Sequence, residues 1–329
     1  MKKTSEAFHI SRPHGHRVPL VLDSPHSGTE FPGDFGAAVS LERLRQAEDS
    51  YVDELFAHGP EAGATLIAAR FPRSYIDPNR SLLDIDPALL ASPWPGPAQS
   101  SRKTELGIGL IWRVLDSGEP IYARKLSVAE VRERIVRFHQ PYQRALKDAL
   151  DDAFAHFGAV WHINLHSMPS VSGNISEEGP GRPRADFVLG DRDGTTCDAD
   201  FREAVRETLR AMGYDVKVND PYKGVELVRA FSDPAAGRHS LQLEVNRRLY
   251  LDERTREKSA DFSALKRDLD RLLDAVASYA AERGSHACAP GHDEHGHHHH
   301  GHSHGHEHDH GHHHHSDPHG DEHDHGHGH

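Results

Sequence analysis

Two apolar runs that each lead to a histidine constrain the fold of this chain most strongly. The first, Val18–Leu22, has the length and composition of a short buried strand and is followed by Pro25 and His26. The second, Ala159–Leu165, leads directly to His166. In open α/β sheets, ligands bind at the carboxyl ends of the strands. The two imidazoles are therefore expected to face a cleft, although for one histidine alone a structural role in a turn is the simpler interpretation.

The other segments of the first 284 residues alternate between strand-like and helix-like patterns. Further apolar runs typical of strands lie at residues 64–71, 108–115, 186–190, 214–218 and 240–245. Segments with helical periodicity lie at residues 40–58, 127–156, 198–212 and 261–282. Pro141 is expected to kink or split the second of these helices. Because the spacing is not that of regular βαβ units, we predict an α/β fold whose mixed central sheet is covered by helices on both faces.

The C-terminal segment from Ser285 onward cannot belong to this fold. It consists almost entirely of His, Gly, Asp and Glu, and it holds 21 of the 31 histidines. Such a segment cannot bury apolar surface, so we predict one folded domain at residues 1–284 and a disordered tail at residues 285–329. Neutral imidazoles bind Zn²⁺, Ni²⁺ and Cu²⁺ with little selectivity, which predicts a metal-binding tail. Its candidate ligands include His297, His298, His299, His300, His312, His313, His314 and His315.

Charge and composition argue against several classes of function. A net charge of −13 gives no indication of binding to nucleic acid or to an anionic membrane surface. No apolar run is long enough for a signal peptide or a transmembrane span. Two cysteines do not make a disulfide framework. A cytoplasmic protein without nucleic-acid or membrane partners is the default expectation.

The two histidines can be ligands of a catalytic metal. A catalytic zinc ion usually has three protein ligands and an open position for water, and His26 and His166 would supply two of the three. Asp49 and Asp53, four residues apart in the first predicted helix, are the natural sources of the third, and a surface ion pair of Asp49 is the simpler alternative. Glu244, near the end of a late strand, is a candidate general base.

Other catalytic motifs fit the chain less well. A Ser-His-Asp triad using Ser24, Ser27 or Ser167 is the competing interpretation, but no G-x-S-x-G nucleophile turn occurs. Neither G-x-G-x-x-G nor G-x-x-x-x-G-K-[ST] is present, so the sequence has no glycine-rich phosphate loop.

Six sequence blocks, in order, resemble those of the N-formylglutamate amidohydrolase family. They extend from about Val18 to about Glu253 and cover nearly the whole predicted domain. Together they are far more specific than any one of them. The blocks are Leu-Asp-Ser-Pro-His26-Ser-Gly, Asp49-Ser-Tyr-Val-Asp53-Glu-Leu, Tyr75-Ile-Asp77-Pro-Asn79-Arg80, His139-Gln-Pro-Tyr, Asn164-Leu-His166-Ser and Leu241-Gln-Leu-Glu244-Val-Asn-Arg-Arg.

The resemblance implies both a fold and a catalytic site. The family is a distant relative of zinc carboxypeptidases, which implies a three-layer α/β/α domain and a zinc-bound water that attacks an amide. It implies His26, His166 and Asp49 as zinc ligands, with Asp53 as the alternate. It implies Glu244 as the general acid/base.

The resemblance also implies a substrate. Arg80, in Asn79-Arg80, would hold a carboxylate of a small acidic N-acyl amino acid such as N-formyl-L-glutamate, whose linear amide bond is hydrolysed in histidine catabolism. The family often has Asp-Ala-His-Ser where this chain has Asn164-Leu-His-Ser, and this difference alters an acid that could orient His166. The alternative function is that of a metal-handling protein, for zinc or nickel storage or delivery, built on a hydrolase-like domain.

Overall fold

A mixed sheet of eight strands forms the centre of the computed structural model, which describes residues 3–4, 7–176 and 178–287. The strand order is β1-β2-β4-β3-β5-β8-β6-β7. The central strands β4, β3, β5 and β8 run parallel, whereas β2 pairs antiparallel with β4 and β6 pairs antiparallel with β8. The predicted mixed sheet is therefore confirmed. The strands are β1 (Lys3–Thr4), β2 (Phe8–Ser11), β3 (Leu20–Ser24), β4 (Thr65–Ala69), β5 (Val160–Met168), β6 (Phe187–Gly190), β7 (Val216–Val218) and β8 (Arg238–Asn246).

Helices cover both faces of the sheet and make the domain three-layered. The helices are α1 (Leu41–Leu44), α2 (Val52–Leu55), α3 (Arg102–Glu105), α4 (Val128–Arg134), α5 (Gln140–Phe157), α6 (Ala199–Ala211), α7 (Glu226–Ala230) and α8 (Phe262–Ala287). Apolar side chains of α4 and α5 pack on one face, and those of α2, α6 and α8 pack on the other. None of the described helices is long and apolar enough to span a membrane.

A π-helical segment joins α4 to α5 just before Pro141. Ser127 begins α4 with a capping box, in which its hydroxyl accepts from the Glu130 amide and the Glu130 side chain accepts from the Ser127 amide. The five residues Ile135–His139 form the wider π-helical turn, and α5 then continues to Phe157. The predicted disturbance at the proline thus takes the form of a π segment, because proline has no N–H to donate to the preceding turn.

The helix predicted over residues 40–58 is wrong. The chain instead forms the short α1, a 3₁₀ turn at Arg45–Ala47 and the short α2. Tyr51 has a left-handed backbone (φ 63°), which ends helical geometry between the two pieces. The amide of Asp49 donates to the carbonyl of His26 at 3.0 Å, so this stretch is bonded to the turn after β3 rather than to itself.

Two other predictions from the sequence differ from the structure. Residues 108–115 do not form a strand but a buried loop with isolated bridges such as Ile108 to Trp112. The prediction failed because an apolar run shows that a segment is buried but does not show that it pairs with another strand. The last helix, α8, extends to Ala287 and thus three residues into the range predicted as tail. The candidate tail ligands lie outside the described residues.

Candidate metal centre and catalytic site

A row of polar side chains follows one face of the central strands. In the parallel pair β5 and β8, Asn164 lies beside Gln242 and His166 lies beside Glu244. Alternate residues such as Leu165 face the opposite side and belong to the apolar core there. The polar row is buried, with α5 packed against β3 and β5 and α7 packed against β8, so each of its groups needs a hydrogen-bond partner within the protein.

Three ligand-type side chains converge at the carboxyl ends of β3 and β5. They are His26 in the turn after β3, His166 on β5 and Asp49 in the interrupted stretch between α1 and α2. Their ligand atoms lie within 4.8 Å of one another. Oδ2 of Asp49 lies 3.3 Å from Nδ1 of His26 and 3.1 Å from Nδ1 of His166. All three side chains are buried.

Nε2, the other ring nitrogen of each histidine, contacts a side-chain oxygen that fixes the orientation of the ring. Nε2 of His26 lies 2.7 Å from Oδ1 of Asp77, and Nε2 of His166 lies 2.7 Å from Oδ1 of Asn164. Metal-bound histidines are typically fixed in this way, with one nitrogen on the ion and the other donating to an oxygen. Nδ1 of His26 is buried without a hydrogen-bond partner among the described residues. The donor set of two imidazoles and one carboxylate therefore fits a zinc ion.

Asp53 does not join this group. It lies on α2, where Ser27 hydrogen-bonds to its carboxyl, and burial together with the neighbouring Glu54 raises its pKa. It lines a cavity of about 340 Å³ beside the His26 turn, together with Arg45 and Glu48. Of the two aspartates predicted as alternates, the fold thus brings Asp49 to the histidines and leaves Asp53 outside.

Asp49 is also held by an arginine that the sequence reasoning missed. Nη2 of Arg247 lies 2.9 Å from Oδ1 of Asp49, and its Nε lies 3.1 Å from the hydroxyl of Ser167. Burial alone would raise the pKa of Asp49, but the adjacent imidazoles of His166 and His26 and the charge of Arg73 hold it well below its usual value. The carboxylate therefore presents Oδ2 to the histidines.

Asp77 joins the His26 side of the site to two arginines. Its Oδ2 lies 3.1 Å from Nη2 of Arg73 and 3.6 Å from Nη1 of Arg80. Burial alone would raise the pKa of Asp77, but Arg80, His26 and Arg73 hold it well below its usual value. Asp77 is thus a carboxylate that orients His26, a role that the sequence reasoning did not assign. Its place in the Tyr75-Ile-Asp77-Pro-Asn79-Arg80 block was the available signal.

Asn79 and Arg80 are predicted to bind substrate, but in the structure the side chains of both donate hydrogen bonds to acceptors within the protein. Arg80 is buried and donates from Nε to the carbonyl of Ile108 and from Nη1 to that of Asn79. Arg80 is therefore not exposed on its own loop, because the buried loop at residues 108–115 supplies one acceptor and the neighbouring Asn79 carbonyl supplies another. Nδ2 of Asn79 lies 3.3 Å from Oδ1 of Asn164, and its own Oδ1 accepts from the amide of Leu227 in α7.

Arg73 is the more accessible arginine of the site. Its side chain is 16 % exposed, and Nη1 lies 3.7 Å from Oδ1 of Asp49. Its guanidinium carbon lies 4.9 Å from the ring centroid of Trp112, whose buried indole N–H has no hydrogen-bond partner among the described residues. Neither residue is predicted from the sequence, and Trp112 falls in the segment 108–115 that the sequence pattern predicts as a strand.

Glu244 lies next to His166 because β5 and β8 pair in that register. The amide of Gln242 donates to its Oε1 at 2.9 Å. Burial foremost, and also Asp49, raise the pKa of Glu244, although His166 and the arginines Arg73 and Arg247 act in the opposite direction. A buried carboxyl with a raised pKa beside the imidazole of His166 is suited to accepting and donating a proton.

The serines considered for a triad have other partners. The hydroxyl of Ser24 donates to that of Ser27 at 2.9 Å, and the hydroxyl of Ser167 accepts from Arg247. Neither contact activates a nucleophile, since no imidazole takes part in it. The arrangement therefore favours the metal site over the triad.

Comparison with known proteins decides the family. The family model of N-formylglutamate amidohydrolase matches residues 18–251. The chain belongs to this family. The prediction drawn from the six blocks is thereby confirmed, and the chain is a member of a family named for the hydrolysis of an amide bond.

Individual relatives agree with the family assignment over most of the chain. The N-formylglutamate deformylase of Pseudomonas putida is 29 % identical over 279 residues, which cover 82 % of this chain and 96 % of the relative. That of Pseudomonas aeruginosa is 29 % identical over 273 residues, with 81 % and 96 % covered. The crystal structure of N-formylglutamate amidohydrolase from Ralstonia eutropha JMP134 is 53 % identical and covers 84 % of this chain and 99 % of its own, with a TM-score of 0.80.

Proposed function

We propose that this chain is a zinc-dependent hydrolase that removes the N-formyl group from N-formyl-L-glutamate or a closely similar acidic N-acyl amino acid. The observation that carries the proposal is the convergence of His26, Asp49 and His166, with Glu244 beside them. The names of the relatives support the choice of substrate. A place for the reaction in histidine catabolism stays a prediction.

The metal would be held by Nδ1 of His26, Nδ1 of His166 and the carboxylate of Asp49. When bound, a zinc ion supplies Lewis-acid polarisation of the amide carbonyl and makes a water molecule more acidic. Asp77 and Asn164 keep the two imidazoles oriented through their Nε2 atoms. This preorganisation means that the ligands need little rearrangement to bind the ion.

Glu244 moves the proton in the proposed reaction. Its carboxylate takes a proton from the attacking water and gives it to the nitrogen of the leaving amine, so that formate and the free amino acid are the products. Gln242 donates to Oε1 and thereby fixes the plane of the carboxyl group, while Oε2 exchanges the proton. Burial keeps the group shielded from bulk water.

The arginines supply the positive charge that an acidic substrate requires. We keep the prediction that Asn79 and Arg80 bind a substrate carboxylate, and we add Arg73 because its guanidinium is partly exposed beside Asp49. Arginine is suited to this task, since its planar fork donates two parallel hydrogen bonds to a carboxylate. Such contacts mainly position the amide for attack.

The test is formate release from N-formyl-L-glutamate by the full chain. A chelator should abolish the activity and added Zn²⁺ should restore it. Glu244→Gln should lower kcat by about a hundredfold or more and should leave zinc stoichiometry unchanged, whereas Glu207→Gln, on the exposed face of α6, should leave kcat unchanged. Full activity of Glu244→Gln, or no activity of the wild type on any N-acyl amino acid, would overturn the proposal.

We also propose that the histidine-rich tail binds further Zn²⁺, Ni²⁺ or Cu²⁺ and acts as a metal store. The abundance of histidine from residue 286 onward supports this role. A chain that ends at Ala287 keeps all of α8 and removes residues 288–329. It should bind fewer metal ions per chain and lose activity sooner under a chelator. If the full chain binds several ions but hydrolyses no N-acyl amino acid, metal handling is its main function.

A further inference from the structure

The two candidate metal-binding histidines are supported in different ways. His26 contacts a carboxylate directly, since its Nε2 lies 2.7 Å from Asp77. His166 instead contacts the side-chain amide of Asn164, at 2.7 Å. An amide is neutral and can present either an oxygen or an NH₂ group, so something must fix which end faces the imidazole.

Asp23 on the neighbouring strand β3 fixes the orientation of that amide. Asp23 and Asn164 are register partners in the parallel pair of β3 and β5. Oδ1 of Asp23 lies 2.8 Å from Nδ2 of Asn164, and both side chains are fully buried. Oxygens of a carboxylate accept hydrogen bonds, so the NH₂ group of Asn164 points toward Asp23 and its oxygen points toward His166.

The rest of the network agrees with this orientation. Nε2 of His162 lies 2.8 Å from Oδ1 of Asp23, and the hydroxyl of Tyr142 donates to Oδ2 at 2.7 Å. Nδ2 of Asn79 lies 3.1 Å from Nε2 of His166 and 3.3 Å from Oδ1 of Asn164. Because the shorter 2.7 Å contact between Nε2 and Oδ1 requires a proton on Nε2, the donor of Asn79 is left for the oxygen of Asn164. Among the described residues, the groups hydrogen-bonded to Asp23 are thus able to donate, and so are the two groups that contact the oxygen of Asn164.

We propose that Asp23 is a positioning residue for the metal centre, acting through Asn164 to hold His166 in the tautomer that leaves Nδ1 free for a metal ion. Because the oxygen of Asn164 requires a proton on Nε2 of His166, the lone pair of Nδ1 is directed toward Asp49. The carboxylate that commonly supports a metal-bound histidine is here one strand away and is relayed by an amide. The inference rests on the proposed zinc site.

An exchange of the two side chains gives the strongest test. In D23N/N164D, the new carboxylate at position 164 accepts directly from His166, and the new amide at position 23 donates to it. His162 can take its other tautomer and donate to Ser240, whose hydroxyl lies 2.6 Å from its Nδ1. The double variant should therefore restore what D23N loses, because a carboxylate again fixes the proton of His166.

The experiment measures thermal stabilisation of the full-length chain by Zn²⁺. A chelator buffer sets the free Zn²⁺ concentration, so that zinc binding elsewhere on the chain does not change that concentration. The free Zn²⁺ needed for half-maximal thermal stabilisation should rise about tenfold in D23N and return to within about threefold of wild type in D23N/N164D. S240A removes a hydroxyl from the far end of the same buried network and is the matched control. It should leave the zinc requirement within about twofold of wild type.

Each outcome decides the matter. An unchanged zinc requirement in D23N, an equal rise in S240A, or a double variant that stays tenfold weaker or does not fold would overturn the role of Asp23. If D23N alone fails to fold, the double variant decides by the same threefold and tenfold criteria. A wild-type chain without zinc-dependent stabilisation would instead contradict the proposed function, so the two failures are distinguishable.

Discussion

Nδ1 of His26 lies 3.3 Å from Oδ2 of Asp49, and the same oxygen lies 3.1 Å from Nδ1 of His166. One carboxylate oxygen is thus shared by the two imidazoles. The arrangement depends on the Asp49 amide, which donates to the carbonyl of His26 and brings this stretch of chain to the end of β3. Three residues distant in sequence are placed together by one backbone hydrogen bond and two neighbouring strands.

Replacing Asp49 should remove zinc binding, whereas replacing Asp53 should not. Asp49→Asn keeps the size of the side chain but removes the charge that faces both histidines, so the free Zn²⁺ needed for half-maximal activity should rise about a hundredfold or more. Asp53→Asn, outside the cluster, is the matched control and should stay within about threefold of wild type. The measurement is activity in chelator-buffered Zn²⁺. A larger effect of Asp53→Asn would make Asp53 the ligand.

Replacing Arg73 should weaken the use of an acidic substrate. Its partly exposed guanidinium is placed to pair with a carboxylate, so Arg73→Gln should lower kcat/KM for N-formyl-L-glutamate by about a hundredfold. The loss should be smaller for N-formyl-L-glutamine, which carries one negative charge fewer. Arg102→Gln, on an exposed side chain of α3, should leave kcat/KM unchanged. Equal losses on both substrates would show that Arg73 does not distinguish the side-chain charge.

A side chain at Gly28 should destabilise the turn that carries His26. A Cβ there would lie 2.3 Å from the carbonyl oxygen of Phe71, which belongs to the backbone and cannot simply rotate away. We expect Gly28→Ala to lower the free energy of unfolding by about 2 kcal/mol or more. Gly33→Ala, where nothing lies within 4 Å of the added carbon, should change it by no more than about 0.5 kcal/mol. Urea unfolding of both variants gives the comparison, and equal stabilities would contradict the close contact.

The thiol of Cys197 should be unreactive in the folded protein. Burial foremost, and then the charge of Asp191, raise its pKa to about 12. The thiolate is the reactive form, and its fraction at pH 8 is then about one in ten thousand, against about a quarter for an ordinary cysteine thiol. In a Cys288→Ser background, alkylation by iodoacetamide at pH 8 should be slow in buffer and fast in denaturant. Rapid alkylation of the native chain would contradict the assigned burial.

Sequence patterns located the strand ends better than they located side-chain partners. His26 and His166 could be placed near strand ends because a buried strand appears locally as an apolar run. The strand before His26 ends at Ser24, whereas β5 continues two residues beyond His166 to Met168. The choice between Asp49 and Asp53 could not be made, since helical periodicity assumes a continuous helix. The left-handed backbone at Tyr51 interrupts it, and no local pattern indicates that conformation for a tyrosine.

The residues that orient the two histidines could not be predicted, because they come from segments that are distant in the sequence. Asp77 lies 51 residues from His26 along the chain, and Asp23 lies 141 residues from Asn164. Only the pairing register of the strands and the path of the loop after β4 bring them together. Arg80 shows the same limit, because one of its acceptors, the carbonyl of Ile108, becomes available only once the 108–115 segment is folded as a loop.

The pairing of β5 with β8 has a consequence for how the site could change. His166 and Glu244 are fixed to each other by the backbone of two central strands, whereas Arg73, Asn79 and Arg80 come from the loop after β4. Replacing that loop could therefore alter which acids or amides are accepted while the spacing between His166, the proposed metal ligand, and Glu244, the proposed base, stays the same. The central sheet thus keeps these two side chains at a constant distance, and new substrate preferences can arise from the loop without any change in that distance.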